Sequence, residues 1–137
     1  MPASFRIDAE NGIVYSRGWG SLTDDDVQAH AQALRADPRF EAGFRQLVDF
    51  RDVTDIRVTS KGVRDVAEVN PFSRDARRAF IVVNDEAFGL TRMFGFFTES
   101  SPEQFGIFRE IGPAFDWIGL PATAAWPGGE PDATFGG

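Results

Sequence analysis

Two adjacent hydroxyl side chains, Thr59 and Ser60, lie in the charged stretch DFRDVTDIRVTSKG, residues 49–62, just before a helical pattern that starts at about Lys61. A phosphate here would meet the free amides and positive dipole of a helix N-terminus, and would add about −1.5 to −2 charges. Alternatively, Ser60 only caps the helix, which contributes roughly 1 kcal/mol. The sequence leaves both open, so Ser60 and Thr59 are candidate phosphoacceptors.

The remaining residues with catalytic or metal-binding chemistry form no recognisable constellation. Asp49, Asp52 and Asp55 follow a predicted strand, where ligands of open α/β sheets bind, but no nucleophile with a base partner accompanies them. His30 is the only histidine and borders a predicted apolar stripe, without other ligands at metal-site spacing. No glycine-rich phosphate loop occurs. We therefore expect no enzymatic activity, no metal site and no cofactor.

A basic run, SRDARR, places three arginines just before a buried strand in an otherwise acidic chain. Arg74, Arg77 and Arg78 are candidate contacts for a phosphate or an acidic partner. The alternative is a solvated run that balances nearby acids.

The third predicted helix has two apolar faces. Ala87, Leu90, Met93, Phe94 and Phe97 form the face expected on the sheet. A second row, Phe88, Arg92 and Phe96, lies nearly opposite. Three explanations are open: the C-terminal tail covers this row through Trp126, the row forms a homodimer or partner interface, or it contacts a lipid or other hydrophobic ligand.

Composition limits the classes of partner. The chain has 137 residues, 42% of them hydrophobic, a formal net charge of −7 and no cysteine. This charge disfavours nucleic acid and anionic lipid surfaces. No apolar run approaches the roughly 20 residues of a membrane span, and the start lacks a signal-peptide pattern, so we expect a cytoplasmic protein without integral membrane association.

Periodicity and turn signals predict two strands, a helix capped by Thr23, and then three further strand–helix pairs. The later elements are a strand at residues 47–50, a helix at 61–69, a strand at 79–83, a helix at 86–98, a strand at 105–108 and a helix from Pro113. The order ββαβαβαβα predicts one α/β domain over residues 1–120, with a mostly parallel sheet and an N-terminal antiparallel hairpin. Residues 121–137 form a Pro/Gly-rich tail that Trp126 and Phe135 would dock on the surface.

This element order resembles the SpoIIAA-like group, which includes STAS domains and lipid-binding SEC14-like proteins. The likeness covers residues 4–120 and rests on GWGSLTDDDV before the first helix and LVDFRDVTDIRVTSKGV before the second. In anti-sigma-factor antagonists of the group, a partner kinase phosphorylates an Asp-Ser-Ser-Gly-like motif. VTSKG matches it here, with Val58 at the acid position and Lys61 inserted before Gly62.

The resemblance implies a regulatory or protein-interaction module of STAS-like type, controlled by phosphorylation at the start of the second helix. Its partner would be another protein or a second copy of the chain, with a homodimer expected. The alternative implied by the SEC14-like relatives is a protein that binds a small hydrophobic molecule or lipid.

Overall fold

A computed structural model of the chain describes residues 3–120 and the backbone of residues 133–135. The strands are β1 Ala3–Asp8, β2 Ile13–Thr23, β3 Arg45–Arg57, β4 Arg78–Ile81, β5 Phe105–Phe108 and β6 Ala133–Phe135. The α-helices are α1 Asp24–Ala36, α2 Ser60–Val69, α3 Asp85–Phe97 and α4 Ile111–Ile118, and a 3₁₀ turn spans Pro102–Gln104. The predicted α/β class and the order ββαβαβαβα are confirmed, and β6 follows as an additional strand.

One mixed sheet organises these elements in the order β5-β4-β3-β2-β1-β6. Strands β2 to β5 are parallel, whereas β1 is antiparallel to both β2 and β6. The β1–β2 hairpin turns through Gly12, whose positive φ of 65° is a conformation that glycine adopts without strain. The predicted antiparallel hairpin is therefore confirmed.

The direction of the crossovers explains which face each helix covers. From β2 to β5, every connection moves one strand in the same direction along the sheet. Right-handed crossovers then put α1, α2 and α3 on one face. Helix α4 follows the last parallel strand and covers the opposite face, where Phe115 and Ile118 pack against Leu47, Ala79 and Ile81. Alternating residues of each strand thus face α4 on one side and the three crossover helices on the other.

Strand β3 differs from its prediction because it continues to Arg57, whereas the sequence pattern ended it at residue 50. The charged stretch that looked like a loop pairs along β2 up to Thr23. Two register shifts occur along this pairing, between Arg17 and Trp19 and between Gly20 and Ser21. Such irregularities disturb the alternation of period two from which a strand is recognised.

Strand β6 pairs with β1 through the register Ala3 to Phe135 and Phe5 to Ala133, so this part of the tail lies at the edge of the sheet. The proposed cover of α3 by Trp126 lies outside the described residues. Within the part of the chain that the structure describes, no helix combines the length and hydrophobicity needed to cross a membrane.

Candidate functional site

A cavity of about 140 Å³ lies between the sheet and helices α1, α2 and α3. Most of its lining is apolar and comes from all three helices and the long end of β3. Representative lining residues are Val27, Leu34, Val53, Val66, Leu90 and Phe94. No aspartate or glutamate is among the described residues that line it.

The floor of the cavity carries polar side chains from three neighbouring strands. Ser16 of β2, Gln46 of β3 and Arg78 of β4 all face the helices and are all buried. Gln46 and Arg78 are direct neighbours in the β3–β4 register. The parallel sheet therefore assembles a polar group that no single strand contains.

A directional chain of hydrogen bonds joins these residues to His30 of α1. Arg78 Nε donates to Gln46 Oε1 at 2.9 Å, and Gln46 Nε2 donates to Ser16 Oγ at 3.1 Å. Ser16 Oγ lies 3.0 Å from His30 Nε2. Arg78 orients the amide of Gln46, and this amide donates to the Ser16 hydroxyl. The Ser16 hydroxyl can then donate its own proton to a neutral His30, which completes the series of hydrogen bonds.

Arg78 is a buried charge, with only 4% of its surface exposed. Besides Gln46, its hydrogen-bond partner is the amide oxygen of Asn70, which accepts from Nη1 at 3.0 Å. The rings of Phe72 and Phe94 lie 4.2 and 5.0 Å from the guanidinium carbon. Burial lowers the pKa of Arg78 to about 9, so the side chain remains protonated at neutral pH.

The same surroundings lower the pKa of His30. Burial, and secondarily the nearby charge of Arg78, lower the pKa of His30 from 6.5 to about 4. Phe5 packs edge-on against the imidazole ring at a centroid distance of 5.5 Å. The imidazole is therefore neutral at physiological pH. In the hydrogen-bonded series from Arg78 to His30, the positive charge is on Arg78.

The structure separates the three arginines of the predicted anion cluster. Arg74 is exposed and lies 3.6 Å from Glu99. Arg77 faces α4, where its Nε donates to the carbonyl of Trp117 at 2.8 Å. Arg78 faces the cavity. Adjacent positions point to opposite faces of a strand, so these side chains do not form one site.

The second row of α3 is also divided. Phe96 is 78% exposed and contacts Phe97 at a ring-centroid distance of 5.7 Å. Arg92 is exposed, whereas Phe88 is half-buried under the guanidinium of Arg109 at 5.1 Å. Phe96 is thus the member of this row that presents an open apolar surface. On the inner face, Leu90 and Phe94 line the cavity, so this side of α3 covers the cavity as well as the sheet.

The hydroxyl pair at the start of α2 requires one correction: Thr59, and not Ser60, is the N-cap. Thr59 Oγ1 accepts from the amide of Gly62 at 3.0 Å and donates to Asp24 Oδ2 at 2.7 Å. Gly62 packs against the Asp24 carboxylate, so a side chain at this position would collide with it. The hydrogen bond to Asp24, which links the starts of α1 and α2, favours Thr59 over Ser60 as the cap. Ser60 is the first helical residue and is exposed.

A phosphate on Thr59 would lie beside the carboxylate of Asp24 and would displace both hydrogen bonds of the cap. Ser60 carries no such constraint, so it is the better phosphoacceptor of the two. Its phosphorylation stays a prediction.

The three aspartates considered for catalysis are each paired with an arginine. Asp49 binds Arg51 at 2.8 Å, Asp52 binds Arg17 at 3.0 Å and Asp55 binds Arg57 at 2.7 Å. The hydrogen bond from Arg57 lowers the pKa of Asp55. These ion pairs lie along β2 and β3, and the acids do not form a carboxylate dyad. No cluster of metal-binding side chains occurs among the described residues.

Sequence reasoning missed Ser16 and Gln46, and it grouped Arg78 with the wrong neighbours. The sequence did contain a signal. In β2 and β4, a polar residue lies two positions from a buried apolar residue and therefore on the same face, as with Ser16 and Val14 or Arg78 and Phe80. A polar residue in phase with the core positions of a strand indicates a buried polar group.

Comparison with known proteins assigns no relative: no protein-family model matches the chain, and no curated protein matches it. The resemblance to the SpoIIAA-like group therefore stays a prediction, and the cavity has to be interpreted from its own chemistry.

The cap assignment yields a prediction about stability. Thr59→Ala removes the acceptor for the Gly62 amide and the donor to Asp24, and should lower the free energy of unfolding by about 1 to 2 kcal/mol. Ser60→Ala is the matched control and should change it by less than about 0.5 kcal/mol. Urea denaturation followed by circular dichroism measures both, and a larger effect of Ser60→Ala would contradict the assignment.

The lowered pKa of His30 yields a prediction about pH. The unfolded chain binds a proton at His30 near pH 6.5, whereas the folded chain does so only near pH 4, so protons favour unfolding between these values. Its contribution to stability is complete above pH 6.5 and is lost as the pH falls towards 4. Between pH 7 and pH 4.5, the wild type should lose roughly 2 to 3 kcal/mol more than His30→Gln. Because the carboxylates titrate in both proteins, equal losses in urea denaturation would contradict a buried, neutral His30.

Proposed function

We propose that this protein binds a small hydrophobic molecule in the cavity between its sheet and helices α1 to α3. The observation that carries the proposal is the cavity of about 140 Å³ with apolar walls. For comparison, an engineered cavity of about 150 Å³ lined by aliphatic and aromatic side chains in another protein binds benzene. The volume therefore suits a compact apolar group, and the lipid-binding SEC14-like proteins that the sequence resembles predict the same class of ligand.

The side chains facing the cavity support a binding role over a packing defect. Interior voids larger than a water molecule are few in a protein domain, because cores pack at crystal-like density. Here small residues hold the space open from two helices: Ala31 of α1, and Ala87 and Thr91 of α3. The Thr91 hydroxyl donates to the Ala87 carbonyl at 2.8 Å, so its polar atom is already satisfied and the rest of the side chain is apolar. A larger residue at any of these positions would fill the cavity.

The test is a titration with straight-chain alcohols of six, eight and ten carbons, followed by isothermal titration calorimetry. The wild type should bind at least one of them. Ala31→Phe places a ring in the cavity and should weaken that binding at least tenfold without loss of thermal stability, because it fills space that no side chain occupies. Ala36→Phe, on the exposed end of the same helix, is the matched control and should bind like the wild type.

Two results would contradict the proposal. One is the absence of binding to the wild type across the whole series. The other is a folded Ala31→Phe protein with unchanged affinity, because the alcohol would then bind elsewhere.

A second candidate function is the interaction module predicted from the sequence, and the exposed ring of Phe96 favours it. A large apolar side chain with 78% of its surface exposed, beside a second ring at Phe97, suits a contact with a second copy of the chain.

Regulation by phosphorylation of Ser60 would act at a separate surface, the start of α2. A cytoplasmic location stays a prediction as well.

Sedimentation equilibrium tests the homodimer. The wild type should sediment above the chain mass of 15.1 kDa, and Phe96→Ser should shift it towards that mass, because the substitution removes the ring from the interface. Phe96→Tyr retains the ring and should behave like the wild type. A wild-type protein that sediments as a monomer at high concentration would remove this candidate.

A further inference from the structure

We infer that the ligand of the cavity is a small amphipathic carboxylate, whose single negative charge pairs with Arg78 while its apolar body lies against the helices. The inference rests on the proposed binding function and adds the chemical class of the ligand. Its basis is a buried guanidinium that has no anionic partner among the residues that the structure describes.

Arg78 has no counter-ion among the described residues. Within the described residues, no carboxylate lies within ion-pair distance of Arg78, and its hydrogen-bond acceptors are the amide oxygens of Gln46 and Asn70. Burying one ion is unfavourable unless an anion or excellent hydrogen bonding offsets the cost. Other arginines here follow that rule, since Arg17 and Arg51 pair with Asp52 and Asp49. Arg78 is the more deeply buried charge and departs from it.

The hydrogen bonds of Arg78 do not require a charged donor. Gln46 and Asn70 each offer a neutral oxygen, which a neutral amide or hydroxyl donor would satisfy. The rings of Phe72, Phe80 and Phe94 attract a cation and offset part of the cost of burying it. These contacts and the two amide oxygens provide no opposite charge for the guanidinium.

The hydrogen bonds of Arg78 also fix the position of its guanidinium. Both amide acceptors are fixed: Gln46 also donates to Ser16, and Asn70 donates to the carbonyl of Phe72 at 3.2 Å. They hold the guanidinium through Nε and Nη1, and Nη2 donates to no described residue. Because Arg78 lines the cavity, Nη2 is the donor that an incoming oxygen would use. A carboxylate accepts parallel N–H bonds from a guanidinium, which fixes both position and orientation.

The charges around the cavity decide between a carboxylate and a phosphate. Among the lining residues, the two arginines are Arg17 and Arg78, and Arg17 already binds Asp52. His30 is neutral and the lining has no lysine. A phosphate monoester brings about two negative charges and three acceptor oxygens, which one guanidinium cannot balance in an apolar interior. A single negative charge on a flat, two-oxygen head matches the donor that is present.

The experiment compares acids with alcohols of equal chain length. Hexanoate, octanoate and decanoate are titrated beside the corresponding alcohols at pH 7.5, below their micelle concentrations, by isothermal titration calorimetry. In the wild type, the best acid should bind at least tenfold more tightly than its alcohol, because its hydrogen bonds are charge-assisted. Arg78→Met should abolish this preference while alcohol binding is retained. Arg74→Met, at an exposed arginine, should preserve it.

A second measurement uses only the wild type, so it remains decisive if Arg78→Met does not fold. The ¹⁵N resonances of the Arg78 side chain should shift on addition of octanoate and should not shift on addition of octan-1-ol. The same shift with both compounds would overturn the pairing of the head group with Arg78.

The remaining outcomes separate this inference from the proposed function. If acids and alcohols bind with equal affinity, the cavity binds hydrophobic molecules and the carboxylate inference is wrong. If the preference for the acid survives in a folded Arg78→Met protein, the inference is wrong about the residue. If neither series binds, both the proposed function and this inference are overturned.

Discussion

The buried guanidinium of Arg78 is the constraint around which the interior of this protein is arranged. An ion in an apolar interior has to be held by other groups, and here those groups are neutral: two amide oxygens and a set of phenylalanine rings. Gln46, which accepts from Arg78, is held in turn by hydrogen bonds that continue through Ser16 to His30. Burial, and secondarily the charge of Arg78, lower the pKa of His30, so the imidazole is neutral at physiological pH. The polar floor of the cavity is therefore one connected unit whose charge is not balanced by residues on that floor.

The topology explains how such a floor comes to face a cavity. Three successive crossovers in the same direction put α1, α2 and α3 on one side of the sheet, while α4 covers the other side with a closely packed core. The α4 side has Phe115 fully buried against Leu47 and Ile81. On the crossover side, small residues such as Ala31 and Ala87 line the cavity. The same sheet thus separates a densely packed layer from one with room for a ligand.

Helix α3 connects the interior with the exterior surface. Its inner residues Leu90 and Phe94 line the cavity, and its outer residue Phe96 is the most exposed large apolar side chain in the described chain. The start of α2, with the Thr59 cap and the exposed Ser60, is tied to α1 through Asp24. Binding in the cavity, association through α3 and modification at α2 would therefore use three distinct parts of one domain.

The sequence by itself determined the class and order of the elements, because hydrophobic periodicity, the Thr23 cap and the Asn11-Gly12 turn are local signals. It also located the apolar inner face of α3 and the open ring of Phe96. It did not determine the length of β3, since irregular pairing with β2 disturbs the alternation of period two, nor the choice of Thr59 as the cap, which depends on a contact with Asp24 from another helix. The site was decided only by the tertiary structure. Ser16, Gln46 and Arg78 are far apart in the chain. The burial of Arg78, away from any described carboxylate, arises only when three parallel strands align under three helices.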